Sequence, residues 1–465
     1  MEQEKDTLQN TSNVPTAIFY WKDSLPTGAE GWVVLDRIIN QISGGGIFMH
    51  KDATLQEVMD IARNMSYKFT VTKPQIGGAK AGIRFDYRDS RAKGVLRRFI
   101  LDNSSILHNV WVTAGDLNTD DRLIEEIIQQ DLGLQTYQAA LAKRLMRVPN
   151  GKNRSQALTD LISNIKVAYF PLIGACVGYG VAKTIEFIDL EFCKKNKCKD
   201  PLKVAIQGFG VVGSSLAYYL QEFSIAKVVA IADKYGSLHN PDGLDIKALL
   251  NAREIRVKQL KDQHASIEEI QDASKNIFYC ISDEERSKNN AFARLSNMND
   301  KDFLYKFLSL ESANVFSPCA MRYPITEDIA QYLMNTTWKG TNRRYLVGGA
   351  NNMFGRQNET GNLIDDSKNL IADSLQKAGV IVVPDWVSNS GTAQLFHQVL
   401  SMDFDAKDPN VGNKVVSAIF LPIENFLKET LGIAQGELLQ LFNSCNILAQ
   451  QRLKEPALLE FDPSI

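Results

Sequence analysis

Apolar residues fall in two kinds of run along this chain. Gly31-Trp32-Val33-Val34-Leu35, Val204-Ala205-Ile206, Val228-Val229-Ala230-Ile231-Ala232, Tyr345-Leu346-Val347 and Val380-Ile381-Val382-Val383 are short, nearly unbroken blocks. Blocks of that length rich in β-branched residues predict buried strands. Other stretches repeat at helical spacing. Val58, Ile61 and Ala62 predict a helix that starts near Thr54 and ends close to Lys68. Thr54-Leu55-Gln56-Glu57 reads as its capping box. Leu123, Ile127 and Ile128 share one face of a helix expected from Asp116 to about Arg147, and Asn150-Gly151-Lys152-Asn153 is a polar break. A long apolar helix is expected over roughly Leu172 to Phe192, then a charged linker from Lys194 to Pro201. Residues 255 to 303 read as surface helices and loops. Beyond Ser388 the pattern is helical again, with Val415, Ile419, Ile423 and Phe426 on one face. Residues 1 to about 30 read as a loose arm before the first strand.

From Leu202 the order is strand, turn, helix, strand. Gly208-Phe209-Gly210-Val211-Val212-Gly213 follows the strand directly and opens the helix Ser214 to Phe223. In such a turn the first glycine bends the chain and the second lets backbone amides approach a pyrophosphate. The third allows close packing of helix on strand. The helix N-terminus adds partial positive charge. Asp233 ends the next strand, 20 residues beyond Gly213. A carboxylate there suits a ribose 2′-hydroxyl and favours NAD, with NADP as the alternative because Lys234 stands beside it. Asp233 also begins the turn Lys234-Tyr235-Gly236, which gives it a second, purely structural reading.

Bulk properties narrow the class. The 465 residues suffice for two or three domains. An apolar fraction of 44%, a charged fraction of 23% and a formal charge of −2 give an ordinary globular protein. That balance offers no basic face for nucleic acid or an anionic membrane. The opening MEQEKDTLQN has no signal-peptide core, and the apolar stretch Ala168 to Ala182 is too short to span a bilayer. Six cysteines do not suggest a disulfide scaffold. Cys193 and Cys198 lie in a lysine-rich loop with no second Cys or His pair, so no metal site is expected. The expectation is a cytoplasmic, reduced protein.

Candidate chemistry concentrates before residue 120. Lys80 stands inside Gly77-Gly78-Ala79-Lys80-Ala81-Gly82, twelve residues after Lys68, and Asp116 follows in Ala114-Gly115-Asp116. Glycines let backbone and ligand approach the lysine closely. A second ammonium in a desolvated site lowers a lysine's pKa and fits it to act as a base, with Asp116 as proton partner.

In this order the motifs resemble the glutamate/leucine/phenylalanine/valine dehydrogenase family, from about Gly31 to the C-terminal helices. Met65-Ser66-Tyr67-Lys68 is similar to the family segment whose lysine binds the substrate α-carboxylate. Gly77-Gly78-Ala79-Lys80 is similar to the segment of the catalytic lysine, and Thr113-Ala114-Gly115-Asp116 to that of the catalytic aspartate. Pro241-Asp242-Gly243-Leu244-Asp245 resembles the stretch after the second nucleotide-fold strand. Ser317-Pro318-Cys319-Ala320, Gly349-Ala350-Asn351-Asn352 and Pro384-Asp385-Trp386-Val387-Ser388-Asn389-Ser390-Gly391 resemble loops around nicotinamide and substrate. The resemblance implies that Lys68 holds the carboxylate of an L-amino acid. Lys80 then activates the attacking water, Asp116 moves protons at the amino nitrogen, and Ala320 and Asn351 contact the cofactor.

The departures refine the expectation. Glutamate-specific members carry a lysine just ahead of their Gly-Gly pair, where this chain has Gly44 in Gly44-Gly45-Gly46. A glutamate side chain would then be buried unpaired. Ala393 and Phe396 fall where the family lines the side-chain pocket, and both are apolar. Together these positions imply a neutral, hydrophobic or aromatic substrate. Val177 stands where the family has a threonine near the nicotinamide, and Thr392 replaces a glycine.

The expected fold is α/β, with an N-terminal α/β substrate and oligomerisation domain (1–170). A Rossmann-type doubly wound nucleotide domain (171–388) follows, then C-terminal helices (389–465) that return to the first domain. The expected activity is NAD-dependent reversible oxidative deamination to a 2-oxo acid and ammonia, in a homo-oligomer. Val177 and Thr392 motivate the alternative, a catalytically altered NAD- or metabolite-binding relative.

Overall fold

The computed structural model describes residues 14–461 apart from 310–312, 321–322, 337, 339–340, 356–366, 402–403 and 406. The chain forms two compact units. One comprises residues 1–163, 399–406 and 449–465, the other 164–398 and 407–448.

The first unit is built on a mixed sheet of β1 (Ala17–Lys22), β2 (Glu30–Leu35), β3 (Ser43–Gly44), β4 (Ile47–His50), β5 (Gly77–Arg84) and β6 (Trp111–Val112). Its order is β1-β2-β5-β3-β6, with β4 also pairing β5. Residues 14–30 are therefore not a loose arm, and residues 1–13 lie outside the described residues. Strand β1 is held by Trp21, which is buried against Phe99 at 5.2 Å and donates from Nε1 to Asp102 at 2.7 Å.

Helix α1 (Leu55–Phe69) packs on β5, and its N-cap Thr54 accepts from the Glu57 amide at 3.2 Å. Next come α2 (Ala92–Asp102), α3 (Ser104–Asn109), α4 (Asp121–Gln130), α5 (Ala139–Leu145) and α6 (Gly151–Asn164). The single helix expected from Asp116 to Arg147 is thus two short ones. Asp120 caps the first, and the turn residue Gly133, at φ 63°, interrupts the pattern. Asn150 to Asn153 is the start of α6 rather than a break: Asn150 adopts φ 57° and Gly151 opens the helix.

The second unit begins with a small hairpin, β7 (Lys166–Val167) and β8 (Phe170–Pro171), and then α7 (Leu172–Asn196). Its main sheet contains β9 (Lys203–Gln207), β10 (Lys227–Ala232), β11 (Gly236–His239), β12 (Phe292–Ala293), β13 (Val315–Pro318), β14 (Tyr345–Leu346) and β15 (Ile381–Val382). The order is β12-β11-β10-β9-β13-β14-β15. Strands β10, β9, β13, β14 and β15 run parallel, whereas β11 and β12 are antiparallel additions. Strand β13, whose Ser317-Pro318 was expected in a loop, pairs with β9 at the centre of the sheet.

Helix α8 (Val211–Glu222) joins β9 to β10. Then come α9 (Ile246–Asp262), α10 (Ile267–Lys275), α11 (Asp283–Lys288), α12 (Asp300–Ser309), α13 (Glu327–Asn335) and α14 (Ser367–Lys377). Helices α15 (Asp385–Ser388), α16 (Gly391–Ser401), α17 (Val411–Ala418), α18 (Phe420–Ile433) and α19 (Leu441–Lys454) complete the chain.

Helix α8 lies close on α7 because a Cβ at Gly174 would meet Val211 Cγ1 at 2.1 Å and one at Gly178 would meet Ser215 Oγ at 2.0 Å. The C-terminal helices do not return to the first unit as a whole. Helices α17 and α18 pack on α7, where a Cβ at Gly180 would stand 3.2 Å from Ile423 Cδ1. The apolar face expected from Val415 to Phe426 is buried there, within the second unit. Cys193 and Cys198, expected as reduced thiols, form a disulfide; Lys197, at φ 49°, turns the chain so that their Cα atoms are 5.1 Å apart.

Candidate active site

In the first unit the structure pairs two of the residues singled out above and buries a third, close in sequence to the strand that carries the paired lysine. Lys80 sits on β5 and its Nζ pairs with Asp116 Oδ2 from the loop after β6. Lys80 and Lys68 are both buried, the latter in the last turn of α1. The loop is braced at Asp116, whose amide donates to Thr119 Oγ1 at 2.9 Å, while that hydroxyl donates to the Ile47 carbonyl at 2.7 Å. The Gly115 amide donates to Asp121 Oδ1 at 2.5 Å. Gly46 closes over the same loop: a Cβ there would stand 3.0 Å from the Ala114 carbonyl oxygen and 3.4 Å from Asp116 Cβ.

The spacing of α1 on β5 is fixed by Ser66 and Gly78. Ser66 Oγ donates to Asp36 Oδ2 at 2.6 Å and accepts from the Gly78 amide at 3.2 Å. A Cβ on Gly78 would lie 2.1 Å from the Ser66 nitrogen. Ser66 precedes Lys68 by two residues and Gly78 precedes Lys80 by two, so this contact sets the register of both lysines. Asp36, Ser66 and Thr119 escaped the sequence reading. Only Ser66 carried a local signal, a small hydroxyl residue two positions before Lys68.

Gly44 pairs with Gly78 in the parallel β3–β5 ladder, so both residues face α1. A Cβ at Gly44 would meet Phe69 Cζ at 3.1 Å and Ile76 Cγ2 at 3.4 Å. Apolar side chains thus bound the position where a lysine is missing. Gly45 can be nothing but glycine, since its Cβ would overlap the Ala79 carbonyl oxygen at 1.6 Å.

In the second unit the turn Gly208–Gly213 follows β9 at the point where the sheet order reverses between β9 and β13, the usual place for a ligand in such a sheet. Gly208 adopts φ 96°, and its Cβ would lie 2.5 Å from Ala320 Cβ on the loop after β13. A Cβ on Gly213 would lie 1.9 Å from the Gly208 carbonyl oxygen. At Gly210, the N-cap of α8, a Cβ would meet nothing within 4 Å. Two glycines are closed by the fold and the middle one faces open space, which fits a dinucleotide pyrophosphate. Phe209 is fully buried, while Val211 and Val212 begin α8.

Asp233 is engaged by its own turn. Its Oδ1 accepts from the amides of Tyr235 at 2.8 Å and Gly236 at 3.2 Å, and its Oδ2 accepts from the Phe278 amide at 2.7 Å. Burial pushes its carboxyl up to about 7 against the pull of those amides, with Asp272 adding a like charge. Those bonds match the turn-initiating role more closely than a carboxylate held out for ribose. Asn351 is half-buried, and its Oδ1 accepts from Asn389 Nδ2 at 3.2 Å. Asn389 also donates to the Gly349 carbonyl at 2.6 Å, and the Asn352 amide donates to Asp385 Oδ2 at 2.9 Å. The loop after β14 is thereby tied to α15. Ala393 and Phe396 are buried on α16, and Val177 is buried on α7. Among the described residues no helix is long and apolar enough to cross a membrane.

A doubly wound nucleotide unit and a lysine–aspartate site on a separate α/β unit define a two-unit α/β dehydrogenase fold. The family described as Glutamate/Leucine/Phenylalanine/Valine dehydrogenase matches residues 175–456, and the Glu/Leu/Phe/Val dehydrogenase dimerisation domain matches residues 27–131. The chain belongs to the glutamate/leucine/phenylalanine/valine dehydrogenase family.

Among its relatives, mitochondrial glutamate dehydrogenase of Dictyostelium discoideum is 32% identical over 216 residues, 44% of this chain and 40% of that one. NAD-specific glutamate dehydrogenase of Staphylococcus aureus is 28% identical over 218 residues, 45% of this chain and 47% of that one. The match thus spans less than half of either relative. NADP-specific glutamate dehydrogenase A1 of Halobacterium salinarum is 27% identical over 351 residues, 75% of this chain and 66% of that one. The hetero-hexameric glutamate dehydrogenase of Thermus thermophilus, in a leucine-bound crystal form, superposes with a TM-score of 0.59 at 16% identity. That superposition covers 98% of this chain and 96% of the other. Plasmodium falciparum glutamate dehydrogenase gives 0.62 at 16% identity, covering 97% of this chain and 84% of the other. At such identities the likeness is one of fold.

Proposed function

We propose that this protein is a nicotinamide-dependent amino-acid dehydrogenase that interconverts a neutral, hydrophobic or aromatic L-amino acid with its 2-oxo acid and ammonia. The observation that carries the reading is the ion pair of buried Lys80 with Asp116, on a strand packed against the helix that bears Lys68. An ammonium held out of water is costly unless paired, and Asp116 supplies that pair within proton-transfer reach.

In this reading Lys68 holds the α-carboxylate. Lys80 Nζ passes a proton to Asp116 Oδ2, and the freed amine then takes a proton from the water that adds to the iminium carbon. Asp116 Oδ2 then gives its proton to the carbinolamine nitrogen. As the C–N bond breaks, the hydroxyl proton goes to the departing ammonia, leaving the 2-oxo acid, ammonium, a protonated Lys80 and an ionised Asp116 as at the start. The bound dinucleotide supplies the hydride acceptor. Gly208, Phe209, Gly210, Val211, Val212 and Gly213 cradle its pyrophosphate, and Ala320 and Asn351 border it. NAD is proposed over NADP because Asp233 directly follows β10, where a carboxylate would meet a 2′-phosphate with like charge.

Substrate class rests on Gly44, walled by Phe69 and Ile76, and on apolar Ala393 and Phe396. Named relatives act on glutamate, so this is where the chain departs from them. The dimerisation-domain match supports a homo-oligomer. The test is oxidation of NADH by purified protein with ammonium and a panel of branched, aromatic and acidic 2-oxo acids. Turnover with an apolar member and not with 2-oxoglutarate is expected, and no turnover with any would sink the proposal. Val177 favours the alternative of a non-catalytic dinucleotide binder. Tight NADH binding, unaltered by Lys80→Ala and with no turnover, would establish it.

A further inference from the structure

Helix α9 carries Ile246, Leu249, Leu250 and Arg253 on one buried stripe, and the fourth member of that stripe is a cation. Arg253 is only 5% exposed. Its Nη1 donates to the Phe209 carbonyl oxygen at 3.2 Å, and its guanidinium lies 5.6 Å from the centre of the Phe209 ring. Among the described residues no carboxylate forms an ion pair with it. Glu254, its neighbour in sequence, is exposed. Asp233, in the same unit, has its oxygens taken by the amides of Tyr235, Gly236 and Phe278.

A guanidinium has five donors and suits phosphate oxygens. Burying it with a carbonyl and a ring as its partners is costly unless a counter-charge arrives from elsewhere. Burial pushes its pKa downward, as expected for a cation in that position.

The bond to Phe209 also has a directional consequence. In a trans peptide the carbonyl and the following N–H point to opposite sides. No cis bond occurs among the described residues, so fixing the Phe209 carbonyl toward Arg253 turns the Gly210 N–H away from it. Gly210 is the residue whose surroundings are open.

We propose that Arg253 is a positioning residue for the dinucleotide's phosphates: it orients the Phe209–Gly210 peptide and places the cation that their charge balances. This rests on the dinucleotide-binding reading above. The phosphate served is the pyrophosphate, since the contact is with its glycine turn. A 2′-phosphate is the competing source.

The test is isothermal titration of the full chain with adenosine, ADP, NADH and NADPH, for wild type, Arg253→Met and Arg253→Lys. Arg253→Met should raise the Kd for ADP, NADH and NADPH alike by tenfold or more and leave that for adenosine within about twofold. Arg253→Lys should recover part of the loss. A merely structural arginine would weaken adenosine and ADP equally, or neither, and either result would overturn the proposal. Loss confined to NADPH would overturn the assignment to the pyrophosphate. If Arg253→Met does not fold, Arg253→Gln keeps a donor for the Phe209 carbonyl and reads the charge alone, with the same ADP-against-adenosine criterion. Wild-type protein that binds neither NADH nor ADP would refute the dinucleotide reading itself.

Discussion

Lys80 and Asp116 form an ion pair whose two ends are unequally exposed, 3% for the lysine side chain and 29% for the aspartate. The nitrogen is thus closed off from water while the carboxylate remains open to it. Lys80→Ala should lower kcat by about 10²–10⁴-fold, the usual scale for losing a positioned acid or base. NADH affinity, measured by fluorescence titration, should stay within twofold. Retained turnover would remove Lys80 from the chemistry.

Gly78 and Ser66 give a sharper structural test. Gly78→Ala places a methyl group 2.1 Å from the Ser66 backbone nitrogen, which cannot swing aside as a side chain can. Overpacking of this kind costs about 1–3 kcal/mol or more. Urea denaturation should show that loss, and activity should fall with it because α1 carries Lys68. An unchanged midpoint would mean that α1 packs on β5 more loosely than these distances require.

The three glycines of the nucleotide turn should respond differently to alanine. Gly213→Ala meets the Gly208 carbonyl at 1.9 Å and should destabilise the second unit, whereas Gly210→Ala meets nothing within 4 Å and should leave the melting temperature almost unchanged. The new methyl would nevertheless occupy the approach to the pyrophosphate. NADH affinity should fall at least tenfold, about 1.4 kcal/mol. Equal NADH binding by wild type and Gly210→Ala would remove this turn from the cofactor site.

Asp233 predicts a pH dependence. Its folded pKa, about 7, lies above the ordinary carboxylate range, mainly through burial. The folded state therefore holds this proton more tightly than the unfolded chain does. Its stabilising effect is fully present below about pH 4 and is lost as pH rises through about 7. The free energy of unfolding should therefore decline between about pH 4 and 7, with this group contributing on the order of a few kcal/mol. Asp233→Asn should flatten that slope. A slope identical in the variant would rule the group out as its source.

Gly44→Lys tests substrate choice. Its Cβ stands 3.1 Å from Phe69 Cζ, so the ring must yield before an ammonium can reach substrate. Combined with Phe69→Ala, the substitution should raise the kcat/KM ratio for 2-oxoglutarate over an apolar 2-oxo acid by tenfold or more. A ratio that does not move would take position 44 out of specificity.

The sequence by itself determined what local pattern encodes. Thr54 announced α1, the glycine turn announced the β9–α8 junction, and apolar blocks announced β2, β9, β10, β14 and β15, because side-chain period and backbone freedom act over a few residues. Only the tertiary structure decided the rest. Strand β13 is recognised by its pairing with β9 rather than by composition, and β1 by the burial of Trp21 against Phe99. Helices α17 and α18 join the second unit because they pack on α7, where Gly180 lets Ile423 of α18 approach closely. The burial of Arg253 was not foreseen, since its bond to Phe209 spans 44 residues of chain. Asp233 stood where a ribose ligand was expected, and the amides of residues 235, 236 and 278 claim it first. Apart from the amides of Tyr235 and Gly236, each of these outcomes is a contact between residues distant in sequence, and a hydrophobic or polar period carries no information about which distant partner a side chain will meet.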